Sequence, residues 1–163
     1  MICILGIDPG QHGGFSIVKL NGDHRAAYAY NKQTLPEIVD TLRAIKETND
    51  LLGFKTLAFI EEVHSMPKDG KASAFSFGQN YGAWLATLIS LKIGYKEIPP
   101  GQWQAGLKLR VRGMEYRDKK KALKEKAQKL FPDLNLTLDT CDAALIAEYG
   151  RQVTLAERKA AGK

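Results

Sequence analysis

The hydrophobic pattern of the first thirty residues predicts three strands joined by tight turns. Residues 2–7 (ICILGI) form a short apolar run rich in β-branched side chains, which is typical of a strand buried on both faces. Phe15–Leu20 and Arg25–Tyr30 also have strand patterns, and Asn21-Gly22-Asp23 between them is a strong hairpin signal. We therefore expect an antiparallel meander whose first strand ends at Asp8.

The remainder of the chain predicts helices that alternate with two further strands. A capping box with proline in the first turn, Thr34-Leu35-Pro36-Glu37, begins a helix that continues to about Glu47. The elements predicted after it are a strand over Lys55–Val63, a helix over Ser73–Leu91, a strand over Tyr95–Pro100, a helical turn over Gly101–Leu107, and helices over Asp118–Leu130 and Thr140–Tyr149, the last stopped by Gly150. Residues 1–150 are assigned to one domain and residues 151–163 to a C-terminal tail.

The order of these elements predicts the fold class. A helix between two strands implies a crossover between parallel strands, so the first and fourth strands are expected side by side and parallel. The fold class is therefore α/β, with a five-stranded mixed sheet flanked by helices. Strands one to three of this sheet are antiparallel and strands four and five are parallel.

Composition narrows the class of protein. The chain has 163 residues, of which 44% are apolar and 26% charged, as in a folded single domain. No apolar stretch approaches the roughly 18 residues of a membrane span, and the first residues do not resemble a secretory signal. Cys3 and Cys141 lack metal-type spacing, which indicates small core residues in a reducing compartment. We therefore expect a cytoplasmic protein.

The positive charge of the chain is concentrated in one segment. Between Lys108 and Lys129 there are ten Lys and Arg residues and three acidic ones, so this window alone exceeds the net charge of +6 of the entire chain. Such a cluster is the electrostatic footprint of a phosphate-binding surface. The alternative, a solvated helix face with a flexible loop, stays open from the sequence.

Four carboxylates occupy positions where they can converge. Asp8 and Glu61 end two apolar strands that are expected to be neighbours, and Asp139 and Asp142 lie three apart near the start of the last helix. Asp8 could instead open the Pro9-Gly10 turn, and Asp139 could serve as a helix cap. Oxygen ligands of this kind suit Mg²⁺, and two such ions can clamp a phosphodiester. Carboxylates beside a basic segment thus indicate metal-dependent hydrolysis of nucleic acid.

Three motifs, in this order, resemble those of the RuvC-type Holliday junction resolvases of the RNase H-like nuclease superfamily. They are GIDPG at the end of the first strand, IEEV at the end of the fourth, and DTCDAALIA on the last helix. The resemblance spans nearly the whole chain, and its lysine-rich helix is closest to the small bacteriophage resolvases. It implies an RNase H-like fold and, for a phage-encoded chain, a location in the host cytoplasm.

The resemblance also implies a catalytic site that binds two Mg²⁺ ions, for which Mn²⁺ can substitute. The implied catalytic and metal-binding residues are Asp8, Glu61, Asp139 and Asp142. Lys119 matches a position where the family has a lysine near the scissile phosphate, and is implied to be catalytic as well. Glu61 is preferred to Glu62 because it follows the isoleucine of the motif and shares a strand face with Leu57 and Phe59.

The implied activity is resolution of four-way junctions and related branched DNA by paired nicking. Two sites are needed for this, so the resemblance implies a homodimer, and the helix from Ser73 with its small residues Gly78, Gly82, Ala83 and Ala86 is the candidate contact. Two alternatives stay open: a module that binds junctions without cutting, and an RNase H-like nuclease acting on RNA–DNA hybrids. A chain of 163 residues is too short for a two-domain sugar kinase or actin-like ATPase.

The aromatic residues near the motifs are expected to have different environments. Trp103 and Phe75 are expected to pack in the core, whereas Tyr116, in a polar loop, is the better candidate for stacking on unpaired bases. His64 stands where bacterial members often have an aromatic, and we expect it to be an exposed loop histidine. A second lysine of those members falls near Gln104 here.

Overall fold

The computed structural model describes residues 1–10, 12–23, 25–30, 34–64, 70–109, 113 and 115–162, without the side chains of residues 25 and 116. Its elements in chain order are β1 (Ile2–Asp8), β2 (Gly14–Lys19), β3 (Arg25–Ala29), α1 (Leu35–Leu51), β4 (Lys55–Glu61), α2 (Lys71–Ser90), β5 (Gly94–Ile98), α3 (Pro100–Gly106), α4 (Tyr116–Leu130) and α5 (Cys141–Ala160). Every predicted strand and helix is present, with ends that shift by a few residues except at the C-terminus.

The five strands form one mixed sheet in the order β3-β2-β1-β4-β5. β2 is antiparallel to both β1 and β3, whereas β4 is parallel to both β1 and β5. The predicted fold class is therefore confirmed. Ile7 pairs with Ile60 in the parallel register, so Asp8 and Glu61 follow at adjacent strand ends.

The alternation of side chains divides the core into two layers. Leu5 and Ile7 face a layer that includes Leu42 of α1 and Leu88 of α2. Ile4 faces the opposite layer, which is built mainly by α5, α4 and α3. Because successive strand residues point to opposite faces, Asp8 shares the face of Ile4 and points towards the α5 layer.

Glycines allow α5 to pack against the backbone of the sheet. A Cβ atom on Gly6 would lie 2.3 Å from the Ala147 nitrogen and 2.4 Å from the Ala143 carbonyl oxygen. One on Gly150 would lie 2.4 Å from the ring of Phe59. The absence of side chains at these two positions brings the first turns of α5 to the end of β1.

The predicted end of the last helix at Gly150 is wrong. α5 continues to Ala160, and the Thr154 hydroxyl, which is buried, donates to the Gly150 carbonyl at 2.7 Å. Gly150 serves close packing against Phe59 and does not end the helix. The assignment of residues 1–150 to one domain stays a prediction, although a single helix crosses that boundary.

Burial agrees with the sequence at three of four positions predicted to lie in the core. Both cysteines and Trp103 are buried in the core, as predicted. Phe75 was expected in the core, and that expectation is wrong, because its side chain is 67% exposed on α2. None of the helices in the described parts of the chain combines the length and apolarity that crossing a membrane requires.

Gly6→Ala is expected to destabilise the fold, because its methyl group would overlap backbone atoms of α5 that cannot move individually. We expect the free energy of unfolding, measured by urea denaturation, to fall by about 1–3 kcal/mol or more. Gly94→Ala is the matched strand control, since its nearest neighbour would be a Leu57 methyl carbon at 3.8 Å. Equal losses in the two variants would contradict the close packing proposed at Gly6.

Candidate active site

All five residues predicted to be catalytic line one cleft at the carboxyl ends of β1 and β4. The cleft has a volume of about 720 Å³. Its charged lining residues are Asp8, Glu61, Asp139, Asp142, Arg117, Lys119, Lys120 and Lys121. The cleft therefore has an acidic wall from the sheet and α5 and a basic wall from α4.

Asp8 is held at the end of β1 by the turn that follows it. Its carboxylate accepts a hydrogen bond of 2.9 Å from the Gly10 N–H, and the Gly13 N–H donates to the Gly10 carbonyl at 2.9 Å. A Cβ atom on Gly13 would lie 2.1 Å from the Asp8 carbonyl oxygen, so only glycine fits there. Asp8 thus both opens the turn and faces the cleft, which combines the two interpretations of the sequence.

A second layer of side chains supports this turn from the other face of the sheet. The Pro9 carbonyl accepts hydrogen bonds from the Tyr30 hydroxyl at 3.0 Å and from the Asn80 side-chain amide at 2.5 Å. The same amide also donates to the Tyr30 oxygen at 2.6 Å. These contacts tie α2 to the backbone beside Asp8. No local sequence pattern indicates these contacts, because 71 residues separate Asn80 from Pro9.

Glu61 is oriented by a buried tryptophan. The Trp103 indole N–H donates to the Glu61 carboxylate at 3.0 Å, and the Trp103 side chain is fully buried. A buried indole needs a hydrogen-bond acceptor, and here the acceptor is a predicted catalytic group. Trp103 is therefore a core residue, as predicted, that also fixes the position of a site carboxylate.

The two aspartates of the third motif reach the cleft from neighbouring positions. Asp142 is buried in the first turn of α5, and Asp139 lies in the turn before that helix, where its N–H donates to the Thr137 hydroxyl at 3.2 Å. The ammonium group of Lys120 contacts the Asp142 carboxylate directly. Lys119, the predicted catalytic lysine, lines the same cleft. The lysine that contacts a carboxylate is its neighbour in the sequence, Lys120.

Burial and mutual repulsion raise the pKa values of two of these carboxylates. The pKa of Asp8 rises from 3.8 to about 6, first because of desolvation and then because of Asp142. The pKa of Glu61 rises from 4.5 to about 7, again through desolvation and then through Asp8. Hydrogen bonds from Gly10 and Trp103, together with the charge of Lys120, oppose these shifts. Concentrated negative charge therefore defines the acidic wall.

This chemistry fits a hard divalent cation. The acidic wall offers carboxylate oxygens, which Mg²⁺ prefers, and a cation beside them would offset the repulsion that raises the pKa values. Among the described residues, no three His, Cys, Asp or Glu side chains are arranged as a ready-made metal-binding group. Lys120 instead provides positive charge against Asp142.

The fold is identified by similarity to solved structures and not by sequence similarity. No known family matches the sequence, and no curated protein sequence matches it either. The structure is similar to RuvC from Thermus thermophilus in complex with a Holliday junction substrate, with 17% identity, 94% of this chain and 96% of that chain covered, and a TM-score of 0.59. A second Thermus thermophilus RuvC structure shares 16% identity over the same proportions, with a TM-score of 0.60.

The chain has a RuvC-type fold. This confirms the fold implied by the three motifs, and the RuvC-type fold is RNase H-like, with the mixed sheet described above. At 16–17% identity, the similarity concerns the fold and not the function of individual residues.

The sequence also singles out His64, Gln104 and Tyr116. His64 is exposed, as expected, and its ring nitrogen lies 3.3 Å from the Glu62 carboxylate. Gln104 is buried and lines the cleft. The side chain of Tyr116, the candidate for base stacking, lies outside the described residues.

Asp8→Asn is expected to stabilise the metal-free protein at high pH. The Asp8 pKa is about 6 in the folded state and 3.8 without the fold, so ionisation of this carboxyl group lowers the free energy of unfolding. This loss of stability is absent below about pH 4, grows as the pH rises, and is complete above about pH 6. The shift of about two units corresponds to roughly 3 kcal/mol at most. Urea denaturation in EDTA should show a gain of about 1–3 kcal/mol at pH 8 and little change at pH 4.

The control for this prediction is Asp40→Asn on α1, whose carboxylate is exposed and pairs with Arg43 at 2.6 Å. We expect it to change stability by less than about 0.5 kcal/mol at either pH. A destabilised Asp8→Asn variant at pH 8 would show that the buried charge is already compensated in the metal-free protein.

Proposed function

We propose that this chain is a divalent-metal-dependent endonuclease that resolves four-way junctions and related branched DNA by paired nicking. The observation that supports this most directly is the cleft itself, in which carboxylates from β1, β4 and the start of α5 face a lysine-rich helix. The RuvC-type fold adds support, because one of the similar structures holds a Holliday junction substrate.

The four carboxylates of the cleft have proposed roles as metal ligands. Asp8, Glu61, Asp139 and Asp142 would hold two Mg²⁺ ions, or Mn²⁺ in their place. When bound, such ions supply an activated water for in-line attack and stabilise the leaving oxygen. The chain's own groups do the positioning: the Gly10 N–H orients Asp8 and the Trp103 indole orients Glu61.

The basic wall has a complementary role. Lys119 is proposed to lie near the scissile phosphate, where its ammonium group offsets phosphate charge close to the carboxylates. Lys120 holds Asp142 and reduces the repulsion between the acidic wall and a phosphodiester. α4 thus brings a negatively charged substrate to a negatively charged site.

The central test is cleavage of a synthetic four-way junction with and without Mg²⁺. We expect paired nicks near the branch from the wild type and a loss of more than about 100-fold from Asp8→Asn, because a metal ligand is removed. Junction affinity should be kept or increased, since the substitution removes a charge that repels phosphate. Gel analysis of cleavage and fluorescence anisotropy would measure the two effects.

Matched substrates and a control variant separate this proposal from its alternatives. Asp40→Asn should cut like the wild type, because its carboxylate is remote from the cleft and pairs with Arg43. Binding of the junction without cutting by the wild type would indicate a junction-binding module. Cutting only of an RNA–DNA hybrid would indicate a different RNase H-like nuclease. Full cleavage by Asp8→Asn would remove the metal-site assignment.

Paired nicking leads us to propose a homodimer that forms through α2. One face of this helix carries exposed small residues at Gly78, Gly82 and Ala86, flanked by exposed Phe75 and Ile89. Trp84 and Leu88, on the other side of the helix, are buried in the core. An exposed apolar face of this kind suits a second copy of the same surface.

Ala86→Arg is expected to prevent this association, because it places a charged side chain in the middle of the apolar face. Light scattering with size exclusion should show a monomer, and cleavage should become single nicks in place of paired ones. Ala44→Arg, at an exposed position of α1, is the control and should behave as the wild type. A dimeric Ala86→Arg protein would place the interface elsewhere.

A further inference from the structure

A second depression, next to the cleft, is lined mainly by cationic side chains. It lies between the end of α3 and the outer face of α4 and has a volume of about 230 Å³. Its charged lining residues are Lys108, Lys119, Lys126, Lys129 and Glu125. We call it the lysine groove, defined by these four lysines. Leu109, Ala122 and Leu123 form its apolar floor.

The lysine groove adjoins the cleft. Lys119 and Leu123 line both, so a DNA strand that leaves the cleft past Lys119 would next reach the groove. At 1.5 Å per helical residue, Lys126 and Lys129 lie about 10 and 15 Å further along α4. Since one strand of DNA advances about 3.4 Å per phosphate, this distance corresponds to roughly three to four phosphates.

Lys108 reaches the groove from an unusual backbone conformation. It follows the end of α3 with a φ of 58°, and the N–H groups of Lys108 and Leu109 donate to the Ala105 and Gln104 carbonyls at 3.0 and 2.7 Å. This is a Schellman motif, in which glycine is favoured at the position of Lys108. A lysine occupies it here at the mouth of the groove.

The chain provides a natural comparison for Lys108. Lys92 follows the end of α2 with a φ of 54° and the same pair of hydrogen bonds, from Lys92 to Ile89 and from Ile93 to Leu88. Both lysines are exposed, but Lys92 does not line the lysine groove. The backbone conformation is therefore shared, and the location beside the other lysines is what distinguishes Lys108.

We propose that the lysine groove binds the sugar–phosphate backbone of the DNA arm that extends from the cleavage site. This inference rests on the proposed function, because it takes branched DNA as the ligand. Lysines on a flexible stem bind phosphate as point charges, and they read no base sequence. The groove therefore contributes affinity and orientation of the arm, whereas the chemistry stays in the cleft.

The first experiment measures binding of a labelled four-way junction in EDTA, by fluorescence anisotropy, between 50 and 200 mM NaCl. For Lys126→Ala combined with Lys129→Ala, we expect the slope of log K against log salt to become shallower by about two. Affinity at 100 mM NaCl should fall about tenfold. An unchanged slope would overturn the proposal, because it would show that these lysines are only a solvated helix face.

The matched pair of glycine variants tests Lys108. Lys108→Gly and Lys92→Gly both replace a lysine at a left-handed position by the residue that favours it, so neither should lower the melting temperature. Only Lys108→Gly should make the salt slope shallower, by about one. Equal slopes for the two variants would exclude Lys108 from the groove's function.

Uncharged analogues of the phosphate group can show which part of the DNA contacts the groove. A series of junctions would carry three consecutive methylphosphonates in one arm, at successive distances from the branch. At one distance from the branch, the methylphosphonates should lower the affinity of the wild type about as much as the two lysine substitutions do. The same methylphosphonates should lower the affinity of the double variant little further, because its contact with that phosphate is already lost. Losses that add in full at every distance would show that the groove and the arm do not meet.

These measurements also separate the groove from the proposed nuclease activity. If junction binding depends on Lys126 and Lys129 but no cleavage occurs in Mg²⁺, the groove is supported and the proposed nuclease activity is wrong. If cleavage occurs but the salt dependence of binding is the same with and without these two lysines, the nuclease activity is supported and the groove is wrong. No binding of any junction by the wild type would remove both.

Discussion

The contact between α5 and β1 at Gly6 is the constraint on which the site depends. Because Gly6 has no side chain, the backbone of α5 lies directly on the strand, and its first turn reaches the end of β1. Asp8 is then brought beside Asp142, while the parallel pairing of β1 with β4 adds Glu61. A larger residue at position 6 would separate the elements that provide the carboxylates, whatever their own sequences.

That proximity has an energetic consequence for the fold. Burial away from water, and then repulsion between neighbouring carboxylates, raises the pKa values of Asp8 and Glu61. The Gly10 N–H, the Trp103 indole and the Lys120 ammonium each stabilise one of the charges. The raised pKa values mean that ionisation of these two carboxylates opposes folding. A cation bound beside them would relieve their repulsion, and this supports the proposed metal site.

Local patterns were enough to predict the fold class and the convergence of the four carboxylates. Short stretches such as GIDPG and IEEV contain the signals for strand ends, turns and helix starts. Tertiary contacts account for what the sequence did not reveal. Gly150 indicates a helix end locally but packs on Phe59 in the structure. Asn80, which is distant in the sequence, supports the turn after Asp8. The orientation of α4 about its axis places Lys120 against Asp142. Phe75 is exposed because its side of α2 faces away from the sheet.

In the proposed nuclease, the placement of charges around the cleft separates DNA binding from chemistry. DNA approaching the acidic wall alone would be repelled, and the lysines of α4 place positive charge on the facing wall of the cleft. Lys119 lies at the junction of the cleft and the lysine groove, so it belongs to both surfaces. Because the groove lacks the four carboxylates of the cleft, the proposed phosphate binding there would not require a metal. In the proposed nuclease, DNA binding would then precede the metal-dependent step and would depend on a surface that the acidic motifs do not encode.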